Sequence, residues 1–307
     1  MLLVILGAGA SYDSLSRLPP PIQVTQNYDH LTRLPLADQL FGDRARFIDT
    51  ANLFPQFKHL IPILRKLRPG YSVERQLEEL LQEAAGYPPR RNELMAVRYY
   101  LQAVIWYCEN EWRKETRDIT NHLALLSEIE QWRYKSREEV FIVTFNYDRL
   151  IEDALRGIGV LVNGETHPPL MGYITNQAYK LFKLHGSVDW GRCTKGISVG
   201  EDMAQSDAVK YNIKNDLSQY FSNDFVKLPF GDIPIGHENG RPIVPAIAIP
   251  VENKSVFECP PSHVAELTGV LSKVDKLLIV GWRASETAFL NLLRKQLPDL
   301  APVFRSS

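Results

Sequence analysis

A run of five apolar residues, Leu2-Leu-Val-Ile-Leu6, passes without a polar break into Gly7-Ala-Gly-Ala-Ser11. An apolar run of this length bounded by glycine predicts a buried strand, and Gly-x-Gly directly after it predicts a tight turn into a helix. Such a turn aims backbone N–H groups and a helix start at a bound anion. Taken alone, the motif is also open to a plain strand-to-helix connection with no ligand. The third glycine of the dehydrogenase fingerprint is missing: its position is Tyr12, and Pro19, Pro20 and Pro21 follow soon after.

Three further apolar runs end in unusual polar sequences. Val140-Phe-Ile-Val-Thr144 leads into Phe145-Asn-Tyr-Asp148, Tyr179 to Leu184 leads into His185-Gly186, and Leu277-Leu-Ile-Val280 leads into Gly281-Trp-Arg-Ala-Ser-Glu286. Ile243 to Ile249 is one more strand candidate. In an open parallel sheet, ligands sit beyond the carboxyl ends of the strands. Four such ends would face one crevice with Gly, Asn, Asp and His.

Between the first two runs the pattern is helical. Leu94, Val97, Leu101, Val104, Ile105, Cys108 and Trp112 form one apolar stripe, and Ser72-Val-Glu-Arg-Gln-Leu reads as a capped helix start. The expected organisation is an α/β, doubly wound Rossmann-like core from residues 1–35 and 138–307. A large helical insertion follows the first strand, at 36–137, and a polar, glycine-rich loop excursion falls at 195–240. A parallel sheet commonly continues with a strand after a helix such as Thr287 to Leu297, so the chain is expected to be truncated near Pro302-Val-Phe-Arg-Ser-Ser.

The 307 residues are enough for one large domain or two modest ones. With 35 basic against 36 acidic residues, the net charge of −1 supplies no overall pull toward nucleic acid or an anionic membrane, so direct binding to either is not expected. The apolar start has no basic n-region and is broken by Gly-Ala-Gly, unlike a signal peptide. No segment reaches the roughly 20 apolar residues of a membrane span. Cys108, Cys193 and Cys259 are odd in number and widely spaced, with no Cys-x-x-Cys pair. That argues against a zinc ribbon or disulfide framework and for a reducing, cytoplasmic location.

Gly7-Ala-Gly-Ala-Ser11, Thr144-Phe-Asn-Tyr-Asp148, Leu184-His-Gly186 and the late strand ending in Gly281 resemble, in that order, the sirtuin-like superfamily. The chain is most similar to its bacterial branch of NAD hydrolases used in anti-phage defence, and Leu34-Pro-Leu-Ala-Asp-Gln-Leu-Phe41 resembles that branch's entry into its first helices. The resemblance implies NAD as substrate, lying across the glycine turn, with cleavage of the nicotinamide–ribose bond to nicotinamide and ADP-ribose. It matches Asn146 and His185 to the catalytic Asn and His, and Asp148 to the acid beside the nicotinamide and its ribose. Gly7, Ala8, Gly9, Ala10, Ser11, Asp13 and Thr144 match the nucleotide-binding stretches, with Ser14 in the segment that continues over the nicotinamide side. Gly281, Trp282, Ser285 and Glu286 fall at the late motif. Here Gly281-Trp282-Arg283 stands where the defence branch reads Gly-Tyr-Ser, which leaves the roles of Trp282 and Arg283 open. Deacylases of the superfamily carry paired zinc cysteines. Their absence here disfavours deacylation, and no metal is expected. The resemblance also implies a homo-oligomer, a controlling partner such as a translocase ATPase or nucleic-acid-sensing protein, or both.

The chemistry suits this small set of residues. Nicotinamide leaves as a neutral pyridine, so no acid need protonate it, unlike an ordinary glycoside with its two carboxyls. His185 would act as base and Asn146 would orient a water or ribose hydroxyl. Asp148 would favour the developing cation. Each has a structural alternative: a buried histidine bonded to a carbonyl for His185, and helix-capping chemistry for Asn146 and Asp148. Two other functions remain open, a non-catalytic module sensing NAD or ADP-ribose and a subunit devoted to assembly.

Overall fold

The computed structural model describes residues 1–14, 33–162, 169–229, 234–252 and 256–297. In chain order the elements begin with β1 (Leu2–Leu6), α1 (Ala8–Tyr12), α2 (Ala45–Asn52), α3 (Ile61–Arg65), α4 (Val73–Glu83), α5 (Pro88–Thr116) and α6 (Asn121–Ser136). Next come β2 (Val140–Thr144), α7 (Leu150–Gly157), α8 (Gly172–Thr175), β3 (Tyr179–Lys183), β4 (Gly186–Thr194) and α9 (Gln205–Lys214). The described chain closes with β5 (Phe221–Lys227), β6 (His237–Glu238), β7 (Arg241–Ile247), α10 (Pro261–Leu271), β8 (Lys276–Val280) and α11 (Thr287–Gln296). The proline-rich stretch after the glycine turn and the final residues, where a further strand was expected, lie outside the described residues.

The chain divides into two compact units: Met1–Tyr28, Trp112–His185 and Lys254–Ser307 form one, Asp29–Glu111 and Gly186–Asn253 the other. The first is a Rossmann-like α/β core with a parallel sheet in the order β3-β2-β1-β8. β1 lies between β2 and β8, and Leu3, Val4, Ile5 and Leu6 are each at most 1% exposed. A fully buried Leu, Val or Ile contributes about 1.5–3 kcal/mol, so these short strands are held by the side chains that made them legible. Pairing is in step throughout. Leu6 is level with Thr144 on one side and Val280 on the other, and Thr144 is level with Lys183. At the sheet's margin, β8 leaves Ile279 43% exposed. Helix α6 packs on α7, and α8 and α10 on β3.

The second unit carries a four-stranded sheet in the order β5-β4-β7-β6, paired antiparallel throughout. Helix α5 is pinned to it: Tyr99 Oη donates to Ile243 O (3.0 Å) and Gln102 Nε2 to Val188 O (2.9 Å). Two sequence expectations are corrected by this unit. Residues 195–240 are not one loop excursion, because α9, β5 and β6 all fall within them. Their apolar positions are few but well placed: Ala208, Val209 and Ile213 bury one side of α9, and Leu228 and Ile235 join Cys193 and Ile243 in a small core. The strand candidate Ile243–Ile249 falls on β7, which pairs with β4 and β6. The expected helical insertion at 36–137 divides at Trp112, since α6 belongs with the parallel sheet.

In the first unit His263 is fully buried on α10, and its Nε2–H donates to Leu170 O at 3.0 Å. Burial pulls its pKa down to about 4 against the opposing pull of that carbonyl. The native histidine therefore refuses a proton that the unfolded chain accepts near its ordinary value of about 6.5. Its contribution to stability is complete above about pH 6.5 and is lost as the pH falls toward 4, by about 3 kcal/mol in all. Urea unfolding between pH 4 and 7 is expected to show a shallower acid loss for His263→Gln than for the unaltered chain.

Candidate nucleotide site

Because the four parallel strands end level, the residues that follow them begin their turns along one edge. The turns after β1 and β8 touch backbone to backbone. Gly7 N–H donates to Val280 O (3.0 Å) and Gly9 N–H to Gly281 O (3.2 Å). A Cβ on Gly7 would lie 2.6 Å from Trp282 Cα, and one on Gly281 would lie 2.7 Å from Gly9 C. Gly281 also has φ +62°, a left-handed conformation that disfavours a side chain. The first reason for glycine at 7 and 281 is thus this close approach.

The sequence reading assigned the amides of Gly7 and Gly9 to a phosphate. The structure instead uses both within the fold, and Ala10 N–H donates to Gly7 O at 3.0 Å. Ala8 is the first residue of α1, and its N–H has no acceptor within the helix, as at any helix start.

Asn146 follows β2 and reaches across to this turn. Its Nδ2 donates to Gly7 O (2.9 Å) and to Ser11 Oγ (2.7 Å), and its own N–H donates to Thr144 Oγ1 (3.1 Å). The residue is 7% exposed, and Oδ1 has no hydrogen-bond partner among the described residues. A buried acceptor left without a donor costs roughly 1–3 kcal/mol, so its retention invites a ligand hydroxyl or a water.

Phe145 links the remaining turns. Its ring stacks on Trp282 (5.5 Å between centroids, 15° between planes) and meets Phe289 edge-on at 5.3 Å. The His185 imidazole is tilted against the same ring at 4.9 Å, with Tyr147 at 6.4 Å. His185 is 3% exposed and sits immediately before Gly186, whose φ of +84° turns the chain out of the parallel sheet. Trp282 Nε1–H donates to the Glu286 carboxylate. Asn146, Ser11, Gly7, Gly281, Trp282, Glu286 and His185 are thereby joined through direct contacts or through Phe145.

The other expected residues make contacts of their own. Asp148 Oδ1 accepts from Leu150 N (3.2 Å), the first amide of α7, although Arg149 is the N-cap residue and Asp148 lies before the helix instead of in its first turn. Asp13 is exposed, and its carbonyl accepts from Asn121 Nδ2 (2.9 Å). Ser14 is fully buried, accepting from Trp112 Nε1 (2.8 Å) at Oγ and from Asn121 N (2.8 Å) at its carbonyl. Ser285 is exposed. His122, set aside in the sequence as a surface or structural histidine, lies in the first turn of α6. It is buried, and that burial lowers its pKa against an opposing pull from Asp148. Lys183 and Glu152, both fully buried and ion-paired at 2.9 Å, were not assigned to the site by the sequence.

Burial raises the thiol pKa of Cys108 and Cys259 to about 12 and also raises that of Cys193, which keeps all three protonated at neutral pH. Among the described residues, no group of His, Cys, Asp and Glu side chains is placed to hold a metal ion, and no helix is long and apolar enough to cross a membrane.

The contact between turns yields a test that needs no ligand. Gly281→Ala is expected to cost about 1–3 kcal/mol from its φ alone, with more from the clash. A Cβ on Gly269 in α10 meets nothing within 4 Å. Gly269→Ala should therefore leave stability unchanged or raise it by up to about 1 kcal/mol. Urea denaturation midpoints compare the two.

No curated protein matches the chain. Residues 140–226, which contain Asn146, Asp148 and His185, match the family model of the SIR2-like domain.

Proposed function

We propose that this chain binds NAD at the ends of β1, β2, β3 and β8 and cleaves the nicotinamide–ribose bond, releasing nicotinamide and ADP-ribose. The observation that carries the proposal is Asn146: Nδ2 is fixed by Gly7 O and Ser11 Oγ, which leaves Oδ1 buried and unpartnered at the strand ends. A carboxamide oxygen held in this way accepts a hydrogen bond from a ribose hydroxyl or an attacking water. The SIR2-like match over the same residues supports NAD as the molecule concerned.

NAD supplies its own leaving group, a pyridinium that departs neutral. The protein's share is then positional and electrostatic. Asn146 orients the hydroxyl or water, and His185, held against Phe145, receives its proton. Asp148 favours positive charge as it develops on the ribose, while its Oδ1 also accepts from the first amide of α7. Ser11 and the Ala8 N–H are the donors of the first turn assigned to the phosphates. Trp282, stacked on Phe145, walls the site. From the resemblance, we extend the proposal to NAD depletion in anti-phage defence in the cytoplasm, with activity restrained by self-association or by a partner protein.

Incubating the purified chain with NAD and separating the products by liquid chromatography tests the reading. Nicotinamide and ADP-ribose are expected in equal amounts. Asn146→Ala and His185→Ala are each expected to lower the rate by about 100-fold or more, with NAD still raising the melting temperature. Equal rates for the unaltered chain and both variants would overturn the proposal. Stabilisation by NAD without turnover would point to the sensing module instead.

A further inference from the structure

We propose that Lys183 is a positioning residue that holds the Asn146–Asp148 turn in place beside His185. This rests on the reading that Asn146 and His185 serve one bound NAD. Lys183 is the last residue of β3 and is fully buried. Its ammonium donates to the backbone carbonyl of Asp148 and, at 2.9 Å, to Glu152 Oε1 in the first turn of α7. Tyr173 Oη donates to the same carboxylate oxygen at 3.2 Å. Asn146 lies two residues before the carbonyl that Lys183 grips, and His185 lies two residues after Lys183 itself. One side chain thus spans the interval between the two proposed catalytic groups.

Packing alone does not account for a charge here. Removing an ammonium and a carboxylate from water is costly, and apolar residues of similar volume often replace such pairs without loss of stability. A Met at 183 would fill the space, but it would offer no donor to the Asp148 carbonyl. That residue is 5% exposed and precedes the first hydrogen-bonded turn of α7. What the ammonium adds is a directed bond to the main chain of the turn, at the point where Asn146 must present Oδ1. Glu152 and Tyr173 fix the ammonium in turn.

The test pairs two variants with two readouts. Lys183→Met combined with Glu152→Gln removes both charges together and leaves no lone buried carboxylate. It is expected to fold with a sharp thermal transition, while amides 147–149 exchange hydrogen about tenfold faster and those of β2 stay unchanged. Its kcat for nicotinamide release is expected to fall about tenfold or more with KM nearly constant, as for a displaced group rather than lost binding. Glu152→Gln alone keeps the donor to the Asp148 carbonyl. It is expected to retain slow exchange at the turn and a kcat within about threefold of the unaltered chain. A folded double variant with unaltered exchange at 147–149 would overturn the proposal, and so would a kcat loss in Glu152→Gln equal to that of the double variant. If the unaltered chain releases no nicotinamide, the NAD reading fails, and the exchange measurement still decides what Lys183 does.

Discussion

Four parallel strands that stop on the same rung determine where the polar groups of the site lie. Leu6, Thr144, Lys183 and Val280 are level, so each turn leaves the sheet from one edge. That register is enforced by burial. β2 is completely enclosed, with Val140, Phe141, Ile142 and Val143 all at 0% exposure, and β1 is nearly so. Sliding one strand along another would move this apolar set out of the core and separate Asn146 from the carbonyl of Gly7.

On that platform the turns are tied to one another by side chains that seek main-chain acceptors. Asn146 donates to Gly7 O and Lys183 to Asp148 O, each from the strand next to the turn it grips. Bonds of this kind cost side-chain entropy when they form, and that cost has been met before any substrate arrives. The carboxamide and the imidazole are therefore set by the fold itself, with Phe145 as the common surface between His185 and Trp282. Preorganisation of this sort suits the proposed cleavage, in which the leaving group departs without help from an acid.

The parallel sheet was legible because a strand enclosed on both faces must be an unbroken apolar run, as in Leu3–Leu6 and Val140–Val143. The antiparallel sheet was not. β4 carries Ser187, Asp189, Gly191 and Arg192, which read as loop until partners are visible, among them the Ser187 Oγ to Asp189 hydrogen bond of 2.7 Å. β5, Phe221-Ser-Asn-Asp-Phe-Val-Lys227, is similarly disguised by its exposed polar positions. Within the site, Asn146 and His185 stood out because each follows an apolar strand. Lys183 did not, since its carboxylate partner comes from a helix 31 residues earlier and nothing local marks a buried ammonium. The glycine turn was recognised for a ligand-binding reason, whereas its geometry answers first to β8.

Glycines in such a turn carry a structural constraint of their own across related chains. Gly7 and Gly281 behave as a single locus: neither can acquire a methyl group while the opposite backbone stays where it is. Invariance at the two positions would then be expected even in a descendant that had lost all nucleotide chemistry, provided it kept the fold. Retention of the proposed chemistry is better judged at Asn146 and His185.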